Sequence, residues 1–112
     1  MTFGDFADIK PIEIAPGYHA RFIHTETHTF SYVEVEPGKA IPLHNHPHEQ
    51  ISIVQEGHFE LTVGDETRIC EVNKPVLIEG GVEHGGRSLT ECKILDIFTP
   101  VREDYRKLSE GN

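Results

Sequence analysis

Short strand-like runs follow one another along almost all of this 112-residue chain, and no amphipathic helical repeat of useful length interrupts them. That pattern restricts the expected fold to the all-β class. Residues 18–24 alternate, 29–36 are rich in β-branched and aromatic side chains, and Pro37-Gly38 supplies a turn. A strand carrying the histidines of 44–50 is expected next. Residues 50–55 and 58–63 flank Glu56-Gly57 like the arms of a hairpin, with Phe59, Leu61 and Val63 spaced to share one face. After a turn at Gly64-Asp65-Glu66 come strands at 67–72 and 76–78, then the loop Glu79-Gly80-Gly81. The last strong strand is 91–98; Pro100 then opens a short C-terminal helical segment through Asp104 and Tyr105, and a flexible tail is expected over 107–112. So many short strands would leave exposed edges unless the sheets close on one another, so the expected architecture is a double-sheet jelly-roll barrel with a mouth for a ligand. The length fits one domain, 1–112, with no internal repeat.

Ten basic against 19 acidic residues give a formal charge of −9. This balance argues against nonspecific attachment to nucleic acid or anionic lipid, which needs a basic face. A small molecule is the expected partner, and an anionic one would need a local arginine. The first ten residues are acidic and mixed, and no apolar run approaches bilayer length, so a cytoplasmic location without a membrane is expected. Cys70 and Cys92 lie in strand-like segments outside any CxxC pair, and in that compartment they read as reduced thiols.

The segment His44-Asn45-His46-Pro47-His48-Glu49-Gln50 puts three imidazoles and a carboxamide within seven residues. On a strand, alternate side chains share a face, so His44, His46, His48 and Gln50 have the parity to converge on one interior point. Taken alone, the stretch also fits a polar loop. Neutral imidazole is the commonest ligand for transition metals, while a carboxamide oxygen adds a weaker donor and keeps the ligand set uncharged. Farther on, His84 stands just past the Gly80-Gly81 loop; His19, His24, His28 and His58 have no ligand-like spacing and read as surface or strand residues.

These residues resemble the first motif of the cupin superfamily, which runs Gly, five residues, His-x-His, three or four residues, Glu, six residues, Gly. Gly38, His44, His46, Gln50 and Gly57 keep every spacing, with Gln50 in place of the Glu. The second motif is looser: Gly81 and His84 are kept, while Asn73, Glu79 and Ser88 stand where Gly, Pro and Asn are usual. The resemblance covers about 29–105. It implies a jelly roll, a metal held by His44, His46, Gln50 and His84, and a homodimer. The metal would be one divalent transition ion: nickel, zinc, manganese or iron. The stretch from Asp96 to Tyr105 is also similar to the tail of the pectin-degradation cupins, mapping an Asp-x-Phe-x-x-x-Arg arrangement onto Asp96, Phe98 and Arg102. That likeness implies ketonisation of 4,5-unsaturated monouronates from pectin or alginate, with these three residues lining the site.

Residue chemistry leaves alternatives beside each of these roles. Asp96 and Phe98 share parity and can both face the interior. Asp96 suits a proton shuttle or a structural ion pair with Arg102, and Phe98 a substrate platform or plain core. Arg102 offers a planar fork for a carboxylate, or is a surface residue. Glu49 has the wrong parity for a ligand, and His48 is expected near the rim. Two other functions stay open: a metal-dependent dioxygenase, against which Gln50 in place of a carboxylate weighs, and a non-catalytic cupin that binds a sugar or effector.

Overall fold

A computed structural model describes residues 2–110. After a short 3-10 turn, Phe6–Asp8, whose first turn is capped by Asp5, ten strands follow in chain order. They are β1 (Ile12–Ala15), β2 (Tyr18–His24), β3 (Thr29–Val35), β4 (Ala40–His44), β5 (Glu49–Glu56), β6 (Phe59–Val63), β7 (Glu66–Cys70), β8 (Val76–Ile78), β9 (His84–Ser88) and β10 (Cys92–Thr99). Helix α1 (Glu103–Glu110) closes the described chain. All pairings are antiparallel, in a six-stranded sheet β1-β2-β3-β10-β5-β8 and a four-stranded sheet β4-β9-β6-β7. This is the expected jelly roll with a C-terminal helix.

The core forms where the alternation of each strand turns apolar side chains inward. On β3, for example, Thr29, Ser31, Val33 and Val35 are buried and the residues between them are not. Tyr18, Ala20, Val33, Val35, Val54, Phe59, Leu61, Ile78 and Ile94 make the main cluster. Each large aliphatic side chain removed from water here contributes about 1.5–3 kcal/mol. Register makes one inward row different. Phe22, Ser31, Asp96, Ser52 and Val76 stand opposite one another across five strands, so a carboxylate flanked by two serines crosses the middle of the large sheet.

Four expectations about local structure change. β5 and β6 are not hairpin arms: β5 pairs with β10 and β8, β6 with β7 and β9, and the Glu56-Gly57 corner passes the chain from one sheet to the other. The histidine segment is not one strand either, since β4 ends at His44 and β5 begins at Glu49. Strands β1 and β9 were not expected; β9 contains Gly85-Gly86, which gives no β-branched signal. A Cβ on Gly86 would lie 2.3 Å from the Phe59 ring, so the close approach of these two strands requires glycine. Finally, α1 takes in residues 107–110 of the expected tail, while Gly111 and Asn112 lie outside the described residues.

Both cysteines are free and buried, Cys70 on β7 and Cys92 on β10. No helix among the described residues is long and apolar enough to cross a membrane.

Candidate metal centre

The histidines meet at the open end of the barrel. His44 ends β4 and His84 begins β9, where the two are cross-strand partners; His46 comes from the loop between β4 and β5, and Gln50 is the second residue of β5. His44, His46 and His84 each offer a ring nitrogen, with these atoms all within 4.8 Å of one another. The loop holding His46 leans on the Glu79-Gly80-Gly81 turn: Gly81 N–H donates to His46 O at 2.8 Å, and a Cβ on Gly80 would lie 2.3 Å from Pro47 O.

Each of the three rings is oriented by its Nδ1, which lies 3.0 Å from Pro42 O for His44, 3.0 Å from His48 O for His46 and 2.8 Å from Val82 O for His84. An Nδ1–H donated to a carbonyl leaves Nε2 with its lone pair free, the arrangement in which imidazole ligates a metal. His84 Nε2 is buried with no hydrogen-bond partner. Burial also lowers the His84 pKa, and burial, Arg102 and His84 push His46 down to about 4, so both rings are neutral at physiological pH.

Neutrality exposes a conflict at His46. Its ring carries one N–H, yet Nδ1 faces His48 O and Nε2 faces Gln50 Oε1 at 3.1 Å. Turning the Gln50 amide gives no relief, because its Nε2 donates to Ser52 Oγ at 3.0 Å and to Asp96 Oδ1 at 3.3 Å. One lone pair of the ring therefore opposes an oxygen lone pair, and a cation shared by His46 Nε2 and Gln50 Oε1 removes the opposition. The donor set fits a divalent transition metal. His48 stays outside the cluster, and Glu49 is exposed.

Below the histidines lies a cavity that opens to solvent. Asp96, Phe98 and Arg102 all line it, so the inward parity of the first two holds. Deep placement pushes the Asp96 carboxyl up to about 6 against the pull of Ser52, Gln50 and Arg102, although its surface still borders the cavity. Ser52 Oγ donates to Asp96 Oδ1 at 2.5 Å. Both recorded bonds to the carboxyl fall on Oδ1, leaving Oδ2 to exchange a proton.

Asp96 is not ion-paired with Arg102, and Arg102 is not on the surface. The guanidinium is buried, with its centre 4.9 Å from the Phe98 centroid and 3.9 Å from that of Tyr105. Its Nε and Nη2 donate to Asp104 at 3.0 and 2.7 Å, so one of its forks is already taken. Among the described residues lining the cavity, Arg102 is the only lysine or arginine. Sequence reasoning missed Ser52, Asp104 and Tyr105 as site residues. Ser52 shares the parity of Gln50 two residues away and was within reach of that argument; the other two needed the helix. A second His–carboxylate group, Glu13, His19 and Glu36, is partly exposed and lies on the outside of the barrel, with His19 Nε2 2.8 Å from Glu36 Oε2.

A cupin-domain family model matches residues 31–98. No curated protein matches the sequence. Among solved structures, KdgF from Halomonas sp. superimposes with a TM-score of 0.87 at 24% identity, covering 93% of this chain and 99% of that one. An RmlC-like cupin from Shewanella frigidimarina gives 0.88 at 23% identity, covering 94% and 96%. A predicted oxalate decarboxylase from Thermotoga maritima gives 0.79 at 13% identity, covering 88% and 99%. At these identities the likenesses speak for the fold, and with the domain match over more than half its length the chain belongs to the cupin family.

Proposed function

We propose that this cupin is a metal-dependent enzyme that ketonises a small unsaturated sugar acid, the 4,5-unsaturated uronates of pectin or alginate breakdown being the class. The observation that carries the reading is the cavity's composition: in a chain of charge −9, Arg102, the one lysine or arginine among the described residues lining it, shares the cavity with a carboxyl whose pKa is raised to about 6 and with three clustered imidazoles. The tail resemblance to the pectin-degradation cupins points the same way.

His44, His46, Gln50 and His84 would hold the metal. A divalent ion there would supply Lewis acidity to the site. Arg102 offers the N–H groups not engaged by Asp104 to the substrate carboxylate, and the Phe98 and Tyr105 rings pack against the guanidinium. Asp96 gives or takes a proton at Oδ2, with a pKa close enough to neutrality for either direction. Ser52 and Gln50 fix its other oxygen. An uncharged ligand set continues to weigh against the dioxygenase reading, for which oxygen consumption by iron-loaded protein is the check.

A cytoplasmic homodimer belongs to the same proposal. Register lines up Ile23, Phe30, Ile97, Ile51 and Leu77 across the outer face of the large sheet, an apolar row that a second copy would cover. A monomer mass by light scattering removes that part. The decisive experiment is an NMR time course of a 4,5-unsaturated monouronate with metal-loaded protein, beside metal-stripped protein and the spontaneous reaction. Metal-dependent loss of the double bond supports the proposal; a rate equal to the spontaneous one refutes it.

A further inference from the structure

Arg102 is held by its backbone as well as by its side chain. Its N–H donates to Thr29 Oγ1 at 2.9 Å, and Thr29 is fully buried at the start of β3. The same hydroxyl lies 2.9 Å from Nδ1 of His24, the last residue of β2 and the cross-strand partner of Thr29. His24 Nε2 lies 3.1 Å from Ser109 Oγ, which donates to Tyr105 O at 3.0 Å. One assignment of protons satisfies the whole series: Ser109 O–H to Tyr105 O, His24 Nε2–H to Ser109 Oγ, Thr29 O–H to His24 Nδ1, and Arg102 N–H to Thr29 Oγ1. It needs a neutral imidazole, and burial and Arg106 lower the His24 pKa against the opposing pull of Glu110 and Glu103.

This series ties residues 102–109 to the β2–β3 end of the barrel near both ends of the segment. Arg106 Nη2 adds a bond to Thr25 O at 2.9 Å, and the Phe22 and Tyr105 rings pack at 4.9 Å. Of the groups packed against the Arg102 side chain, Phe98 belongs to β10 and the other two to the segment itself. Asp104 and Tyr105 belong to the same segment and move with it, so they set the shape of the guanidinium's surroundings but not its distance from the metal ligands. That distance depends on the barrel residues, among which Thr29 and His24 supply the hydrogen bonds nearest to Arg102.

We propose that His24 and Thr29 are positioning residues that lock the C-terminal strap, residues 102–110, against the barrel and so aim Arg102 at an anionic ligand in the cavity. The proposal rests on the reading of Arg102 as the carboxylate-binding group. A neutral ligand of the same shape gains nothing from the aim of a cation, so the lock acts on anion affinity.

The test uses the metal-loaded 112-residue chain. Thr29→Val keeps the side-chain shape and removes the hydroxyl, Thr29→Ser restores it, and His24→Ala breaks the series from the more exposed side. Hydrogen exchange read by mass spectrometry is expected to speed up over 102–110 about tenfold in Thr29→Val and His24→Ala, and to stay at the parent rate in Thr29→Ser. Calorimetry with galacturonate is expected to show a matching loss of affinity, with galactose binding unchanged. Unchanged strap exchange in both Thr29→Val and His24→Ala overturns the proposal. So does faster exchange with galacturonate affinity intact, provided that Arg102→Ala abolishes that affinity. If Arg102→Ala leaves galacturonate binding intact, the anion reading itself has failed, and the exchange rates alone decide the strap.

Discussion

Asp96→Asn separates what the carboxyl does for catalysis from what it does to the fold. Deep placement raises its pKa from the 3.8 of an ordinary aspartate to about 6. The native state therefore binds the proton more tightly than the unfolded chain does, and the group's contribution to stability is full below the unfolded value and lost as pH rises through the folded one. A difference of about 2.2 pK units corresponds to about 3 kcal/mol. Asparagine keeps an oxygen for Ser52 and Gln50 but cannot ionise, so its stability lacks this slope. In metal-free protein, urea titrations at pH 4, 5, 6 and 7 are expected to show Asp96→Asn gaining about 2 kcal/mol on the parent across that window, the rest of the full difference lying below pH 4, as other titrating groups cancel in the difference. Ketonisation by the metal-loaded variant is expected to fall by about 10²-fold or more, the usual contribution of a positioned acid or base. Stability profiles that run parallel for the two proteins would refute the placement of Asp96 as a desolvated carboxyl, whatever happened to turnover.

The ligand set gives a second prediction: His84→Ala is expected to lose bound metal and His48→Ala to keep it, as read by elemental analysis after dialysis, because only His84 points an unpartnered Nε2 into the cluster. Gly80→Ala is expected to weaken metal binding by roughly 10–100-fold in a competition titration, as loss of supporting contacts does elsewhere, since its Cβ would displace Pro47 and with it His46. Arg102→Lys keeps the charge but loses the fork to Asp104 and the guanidinium's contact with the Tyr105 ring. Steady-state kinetics on an unsaturated uronate are expected to show KM raised about tenfold with kcat changed less, and a parent-like KM would remove the carboxylate role.

Parity arguments succeeded where strands run regularly and failed where they do not. On β10 the period of two places Asp96 and Phe98 correctly, because the strand is central and paired on both sides. Across 44–50 the same argument assumed one strand, whereas the chain leaves β4 at His44 and re-enters the large sheet at Glu49. The ligands still converge, through cross-strand pairing of His44 with His84 and a loop that swings His46 inward. The supposed hairpin at Glu56-Gly57 shows a related limit: turn residues announce a corner, but the strands each arm joins are chosen by distant β10, β8 and β9. His24 was set aside for want of ligand spacing, and its partners Thr29 and Ser109 lie 5 and 85 residues away. Such a role belongs to tertiary geometry and leaves no periodic trace.

The division of labour between the two sheets accounts for how the chemistry is assembled. His44 and His84 come from the small sheet, Gln50 and Asp96 from the large one, and no strand ladder joins the sheets at this end. Gln50 is the hinge of the arrangement, presenting its oxygen to the ligand cluster and its nitrogen to Ser52 and Asp96. A glutamate there would reverse the second half of that role, placing a carboxylate oxygen against the Asp96 carboxyl instead of an N–H. The substitution that departs from the usual cupin motif is therefore the one that lets an acid sit directly behind the candidate metal ligands, and Ser52, opposite Asp96 in register, completes its support. Arg102 approaches from the C-terminal segment, outside both sheets. His44, His84, Gln50 and Asp96 are thus set by barrel register and His46 by the loop before β5, while the cation is set by the C-terminal segment.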